Sequence, residues 1–533
     1  MKKRNLFHRA EMTVVLMIGA TLFSKALGML RQMMTASIFA ASMEGIAFSA
    51  ASGIPLAIFD MLFSTAVLGS FLPIYKGHLD SDGERARSFS SSFLTVIFGL
   101  TAAVSVLGTV LAGPMIRLAA PDLDEDTLAL AVVLLRIMFP SMIFAGAAYI
   151  LIGILQSHER FLLPSFVSAV SNILMLLYLI FCPRPVGRGT AVGFAFSYLL
   201  SWAAQFLTLA VPLLKRGEFP GLTAHWKTAD TVLALKRALP VMFGSWLIPM
   251  TNLIAKAFSS FAALGTGGSD LSAGAAIVVY ENAFSVFSIA AGLLTYSICN
   301  YLFPKLSAQF AAGKTEIFSE LIRKGFFVSM ALVLPVSGVM FLLSEEIVAL
   351  LYLRGNFTVA LASAAALSLR VLVFAMPAYG MTEFLSRVFY SCAKVRYPVW
   401  ASLTGIAVSF FSCAAFWCAG RISVETVAMS VVFGQMSAGI LLLIFSRQFF
   451  EKKSVHRRMK YPFLFSGCLL CMTVMWGCRD FLRQFLHFSD TFRNFLIITI
   501  VFMVGFMVYS IWLILVKVIR ISDLRSISED KNI

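Results

Sequence analysis

Residues Thr21 to Thr35 read TLFSKALGMLRQMMT, and the spacing of the polar side chains in this stretch decides the fold. At 100° per residue, Thr21, Ser24, Lys25, Gly28, Arg31, Gln32 and Thr35 fall within an arc of roughly 120°, while Leu22, Phe23, Ala26, Leu27, Met29, Leu30, Met33 and Met34 cover the remainder. The segment is a helix with one cationic face and one greasy face. Two cations near the centre of a membrane helix each cost roughly 2.5–3.5 kcal/mol, so they belong against a solvated cavity or a partner rather than against lipid.

The composition around the stretch agrees. The 533-residue chain is 59% hydrophobic and 13% charged, with mean hydropathy +0.86, far more apolar than a soluble domain. It reads as an all-α polytopic membrane protein. Apolar runs long enough to span number about fourteen, near 12–39, 47–75, 89–113, 128–156, 161–183, 187–213, 236–262, 274–303, 321–344, 359–392, 397–419, 423–447, 461–479 and 494–519. The runs are too long, and lack the period-2 alternation, for a transmembrane β-barrel. The apolar run behind Met1-Lys2-Lys3-Arg4 shows no cleavage site, so the first helix is expected to stay.

Of 43 lysines and arginines, 29 fall on the side of the N-terminus and 8 on the other, which predicts cytoplasmic ends and an outward acidic loop at residues 122–126. The net charge of +16 is then a topology signal with attraction to anionic lipid, and no basic, aromatic-interleaved face suggests nucleic acid.

An internal repeat is visible. Arg136, Ser157, Arg160 and Pro164 recur 234 residues later as Arg370, Ser391, Lys394 and Pro398. Two pseudo-symmetric six-helix lobes follow, plus a C-terminal helix pair. The expected division is an N-lobe at 1–213, a cytoplasmic linker at 214–235, a C-lobe at 236–447, and the last two helices with a tail at 448–533. Parallel repeats of this kind suit an alternating-access transporter whose site lies between the halves.

Further polar stripes mark where that site lies. Gly53, Ala57, Asp60 and Ser64 share a face of the second helix; Ser245, Pro249, Asn252, Lys256 and Ser260 share one of the seventh; Glu281, Ser285, Ser288, Gly292 and Thr295 share one of the eighth. Helix packing through small polar residues explains any one stripe as readily, but explains the charges less well. Asp60 and Glu281 are expected to pair with Lys25, Arg31 or Lys256 and to exchange with an anionic cargo. The substrate-binding candidates are Arg31, Lys25, Lys256, Asp60, Glu281, Ser24, Gln32 and Asn252.

Signs of bond chemistry are few. His8, His78, His158, His225, His456 and His487 lie in loops or near helix ends without metal-ligand spacing. Gly313-Lys314-Thr315 ends like a phosphate-binding loop, yet Ala308 replaces the first required glycine. Cys468 and Cys471 are a lone pair inside an apolar helix, and Glu383 with Arg387 reads as an i,i+4 structural pair. No catalytic residue, metal or cofactor is expected. A membrane enzyme would need clustered His, Asp or Arg in its loops.

The segments SKALGMLRQ (24–32), IPLAIFD (54–60), GSFLPIYK (69–76), GILQSHERFLLPSFVSAVSN (153–172), FPKLSAQFAAGK (303–314), LRGNFT (353–358) and RVFYSCAKVRYPV (387–399) resemble the MurJ/MviN family of lipid II flippases, in the multidrug/oligosaccharidyl-lipid/polysaccharide exporter superfamily. The resemblance implies a fourteen-helix, two-lobe fold in the bacterial cytoplasmic membrane. It implies a cargo of undecaprenyl-pyrophosphate-linked disaccharide-pentapeptide moved from inner to outer leaflet, with cell-wall synthesis proteins as further candidate partners. It also implies a cavity between helices 1, 2, 7 and 8, with Arg31 and Lys25 matching basic positions of the first helix, and a lipid-tail groove at helices 13 and 14. This sequence departs from the family pattern at Gln32, at Phe59-Asp60, at Ser64, at Ala255 and at Ala283, where charged residues are usual. On the resemblance, Lys256 and Lys25 stand in for the missing arginines. Two alternatives are a flippase for another polyprenyl-linked glycan and a non-transporting scaffold that keeps the fold.

Overall fold

The computed structural model describes residues 2–262, 274–450, 460–486 and 489–516. The expected cationic stretches at 451–459 and 517–533, with His456 and His487, lie outside the described residues. Every described element is helical. In chain order these are α1 (Lys2–Phe39), α2 (Met43–Phe59), a π turn (Asp60–Ser64), α3 (Thr65–Ser81), α4 (Gly83–Val110), α5 (Ala112–Ala119), α6 (Glu125–Met138), α7 (Ser141–Ser157), α8 (Leu162–Phe181), α9 (Arg188–Lys215), α10 (Ala229–Gly244) and α11 (Leu247–Ser259). They continue with α12 (Ala275–Ala311), α13 (Thr315–Leu342), α14 (Ser344–Tyr352), α15 (Val359–Leu372), a 3-10 turn (Val373–Ala375), α16 (Met376–Ser391), α17 (Arg396–Cys418), α18 (Val424–Phe445), α19 (Arg447–Phe450), α20 (Lys460–Phe485) and α21 (Asp490–Leu515).

Among the described residues, 12 helices are long and apolar enough to cross a membrane, or 13 when α10 and α11, bent by 47° at Ser245-Trp246, count as one span. That count stands against the fourteen expected. Several expected spans are composite. The span at 47–75 is interrupted by the π turn, and those at 128–156 and 359–392 are each two helices joined through a tight turn.

The repeat is present in the backbone. α7 and α16 end 234 residues apart, α8 and α17 begin 234 apart, and the N-caps Asp124 and Thr358 hold the same relative place. Glu159 and Ala393 both adopt a left-handed conformation (φ 59° and 56°), and behind them Arg160 N–H and Lys394 N–H each donate at 2.9 Å to Leu155 O and Phe389 O. This is the reverse turn that closes a helix, here without the usual glycine.

The chain divides into two compact units. One comprises residues up to Glu281, with Arg354–Phe357 and Trp417–Ser423; the other takes Asn282–Leu353, Thr358–Phe416 and the chain from Val424 onward. The first unit extends to Glu281, with α10 lying along α3 and α11 along α2. The LRGNFT stretch explains the short insertion. Asn356 N–H donates to Ser37 O at 2.9 Å and its side-chain amide to Ile38 O at 2.8 Å, closing the end of α1. Gly355 (φ 59°) must be glycine there, since a Cβ would stand 2.3 Å from Ser37 Oγ.

In the first unit the core is rich in aromatic rings: Phe39 and Phe48 both pack on Phe194, and Phe89 and Phe93 both stack on Phe71. In the second, the thiols of Cys468 and Cys471 donate to Leu334 O and Gly505 O, and Arg387 stands 3.9 Å from Glu383. Gly313 has φ 69° and closes α12, so Gly-Lys-Thr is a helix stop.

Candidate substrate-binding site

The site lies within the first unit and is built from interruptions in its helices. α2 begins at Ser42, whose Oγ accepts from Gly45 N–H at 3.2 Å, and gives way at Asp60 to the π turn. A π turn disturbs the i→i−4 ladder and leaves carbonyls to be satisfied from elsewhere. Trp246 does this, its indole N–H donating to Met61 O at 2.9 Å from the break between α10 and α11. The two interruptions are therefore tied to one another.

Lys256 is the most enclosed charge of the set, its side chain 4% exposed. Its ammonium donates to Ser49 O at 3.0 Å and sits 3.1 Å from Glu281 Oε1 on α12. Gly53 makes this approach possible, because a Cβ there would lie 2.9 Å from Lys256 Nζ. The second carboxylate oxygen of Glu281 and the Oδ1 of Asn252, one turn before Lys256, are both buried without a hydrogen-bond partner.

Arg31 is half-buried on α1. Its Nη1 meets the thioether of Met175 at 3.3 Å, a weak acceptor, and its Nε is buried without a partner. Glu281 and Tyr198 are within its electrostatic reach, and Tyr198 in turn feels Asp60. Arg31 and Asp60 thus both lie within electrostatic reach of Tyr198 of α9, and Glu281 links Arg31 to Lys256. Two cations and two acids share the site, and Arg31 keeps its buried Nε donor unspent.

The other three expected residues are placed differently. Ser24 is buried and its hydroxyl donates to Ser165 O at 3.4 Å, while Asn172 donates to Ser24 O at 3.3 Å. This part of the α1 stripe packs on α8, and Gly28 faces the same asparagine. Lys25 is exposed. Six residues on a helix separate it from Arg31 by about 120° of rotation, so the two cations hold opposite edges of one arc. Gln32 is half-buried beside Arg31. Ser260, from the seventh-helix stripe, is buried and accepts from Asp122 N–H at 3.3 Å, a structural role.

Sequence reasoning missed Tyr198, Met175, Trp246 and the Ser49 carbonyl. The first three sit in apolar runs where an aromatic or methionine is unremarked, and a backbone oxygen has no signature at all. Among the described residues no three His, Cys, Asp or Glu side chains converge as a metal site would need.

Comparison with known proteins gives the family and the fold. A protein described as probable lipid II flippase MurJ from Bdellovibrio bacteriovorus is 28% identical over 399 residues, 74% of each chain. Lipid II flippase MurJ from Burkholderia cenocepacia is 26% identical over 399 residues, 74% of this chain and 75% of that one. The solved structure of lipid II flippase MurJ in an inward closed conformation superposes with a TM-score of 0.74 at 17% identity, covering 93% of this chain and 98% of the other, which shows a shared fold. The family described as lipid II flippase MurJ matches residues 35–521, and the chain belongs to that family.

Proposed function

We propose that this multi-pass membrane protein moves lipid II from the inner to the outer leaflet of the bacterial cytoplasmic membrane by alternating access, with both termini cytoplasmic and Arg31 as the principal contact to the pyrophosphate. The observation that carries the reading is the set of unspent polar atoms: a donor on Arg31 and acceptors on Asn252 and Glu281, all buried. A buried polar group without a partner costs about 1–3 kcal/mol, so these atoms favour a ligand that supplies the missing partners. A phosphate offers acceptors to the guanidinium, and sugar or peptide N–H and O–H groups offer donors to the other two. Family membership, and relatives named as lipid II flippases, support the same cargo.

Each residue then has a role. Arg31 can grip two phosphate oxygens at once through its planar fork. Lys256 is held by Glu281 and Ser49 O, so cargo phosphate must compete with Glu281 for the ammonium. Asp60 and Glu281 keep the cations neutralised between cargoes, which makes closure depend on occupancy. Lys25, at the exposed edge of the arc, is suited to the first encounter with the anionic headgroup. The groups assembled here bind and release; they form no nucleophile and base pair.

The test is complementation of cells depleted of the native protein, with lipid-linked precursors measured by leaflet. Depletion should accumulate lipid II on the cytoplasmic face, Arg31→Ala should fail to rescue, and Arg31→Lys should rescue in part. Accumulation of a different lipid-linked glycan, or full rescue by the Arg31→Ala, Lys256→Ala double variant at normal membrane levels, would refute the assignment.

A further inference from the structure

Five charged side chains meet at the end of α13 in the second unit. Glu345 and Glu346 start α14, Arg370 comes from α15, and Arg479 and Arg483 lie one turn apart on α20. Arg479 Nε and Arg483 Nε donate to Glu346 Oε1 at 2.7 and 2.8 Å, and their Nη2 groups donate to Glu345 Oε2 at 3.1 and 2.9 Å. Arg370 completes the group, donating to Glu345 Oε1 at 2.8 Å and to Ser344 Oγ at 3.1 Å. Glu346 is 2% exposed, so this is no loose surface pairing.

The internal repeat shows what the acids are for. Leu111 and Leu343 hold equivalent places, each ending a 28-residue helix with its N–H bonded to the carbonyl four residues back. Counting on from them, Glu345 and Glu346 correspond to Gly113 and Pro114, while Arg370 corresponds to Arg136. The first unit thus keeps the arginine, exposed, and lacks both acids. It also lacks an appended helix pair. The acids occur in the copy of the repeat against which α20 is packed.

Apolar contact does little to hold α20 and α21 in place, since lipid tails solvate an apolar helix face as well as another helix does. Placement must come from close packing and polar contacts. We propose that Glu345 and Glu346 are the docking residues for the C-terminal helix pair, fastening α20 and α21 to the second unit so that the pair travels with it as one body during transport.

A native cysteine makes this measurable. A Cβ built at Gly338 on α13 would stand 3.6 Å from Cys468 Sγ on α20, with only the flexible Met472 to displace. In the full chain carrying Gly338→Cys and retaining Cys468 as the one other cysteine, oxidation in membranes should cross-link the two helices. Glu345→Gln with Glu346→Gln should slow that cross-link at least tenfold, and Arg483→Gln, at an arginine 41% exposed, should slow it less while leaving insertion intact. Unchanged cross-linking in both variants overturns the docking role. The functional arm rests on the flippase reading, whereas the cross-linking arm does not: the double glutamine variant should lose complementation and regain it once the Gly338→Cys to Cys468 disulfide has formed. Loss of complementation that persists with the disulfide in place also overturns the proposal.

Discussion

Replacing Lys256 by Met removes the ammonium while keeping most of the side-chain volume, and the consequence falls on Glu281. That carboxylate would lose its 3.1 Å partner while its other oxygen already has none. Breaking a buried ion pair from one side costs about 3–5 kcal/mol when the remaining charge stays. We therefore expect Lys256→Met to destabilise the protein by about 3–5 kcal/mol. Glu281→Gln should cost less, about 1–2 kcal/mol, since the amide oxygen still accepts from Lys256 and Ser49 O remains in reach. The double variant should recover most of the larger loss, giving a coupling of at least about 2 kcal/mol. Denaturant unfolding of the purified protein, run on all four corners of the cycle, measures this directly. Losses that simply add would refute the claim that Lys256 and Glu281 form one buried unit.

Gly53→Ala puts a methyl group 2.9 Å from Lys256 Nζ, so it should weaken the same ion pair without deleting a charge; transport is expected to fall while membrane levels hold, and unimpaired transport would show that the ammonium has room to move. Ala393→Gly relieves a left-handed alanine and should gain up to about 1 kcal/mol in thermal unfolding, with a loss counting against the strain argument. Glu218 accepts a bidentate bond from Arg160, at 2.5 and 3.0 Å, and that bond holds its carboxyl below the usual range. The pair's contribution, under about 1 kcal/mol, is therefore present above the ordinary carboxylate range and lost as pH falls through the lowered value. Wild type and Glu218→Gln should differ at neutral pH and converge as the pH falls below the lowered value. Glu345, held low first by the bond from Arg483 and then by Arg370, obeys the same sign, so the contribution of Glu345 to stability is present at neutral pH and is lost as pH falls through the lowered value, which a pH series of thermal unfolding on wild type and Glu345→Gln reads.

Much of the fold was legible because a bilayer imposes simple rules on a chain. Span length, cation bias and the spacing of Arg136, Ser157, Arg160 and Pro164 all follow from one-dimensional patterns, and the repeat they predict reappears in the backbone down to the left-handed residues 159 and 393. The breaks within spans were less legible. Nothing local in FDMLFS announces a π turn, which persists because Trp246, 185 residues away, satisfies its carbonyl.

The candidate site divides along the same line. Sequence alone singles out Arg31, Lys256, Asp60 and Glu281, because a charge in an apolar helix is costly wherever it ends up and so must have a reason to be there. It cannot say which charge meets which, since pairing depends on helix rotation and on breaks that no local pattern encodes. Only the tertiary structure joins Lys256 to Glu281 and to a backbone oxygen approached over Gly53, turns Ser24 towards α8, and leaves Lys25 exposed while half-burying Arg31. Composition and periodicity report the cost of burying each residue, whereas the partner that offsets that cost is a property of contacts between segments far apart in the chain.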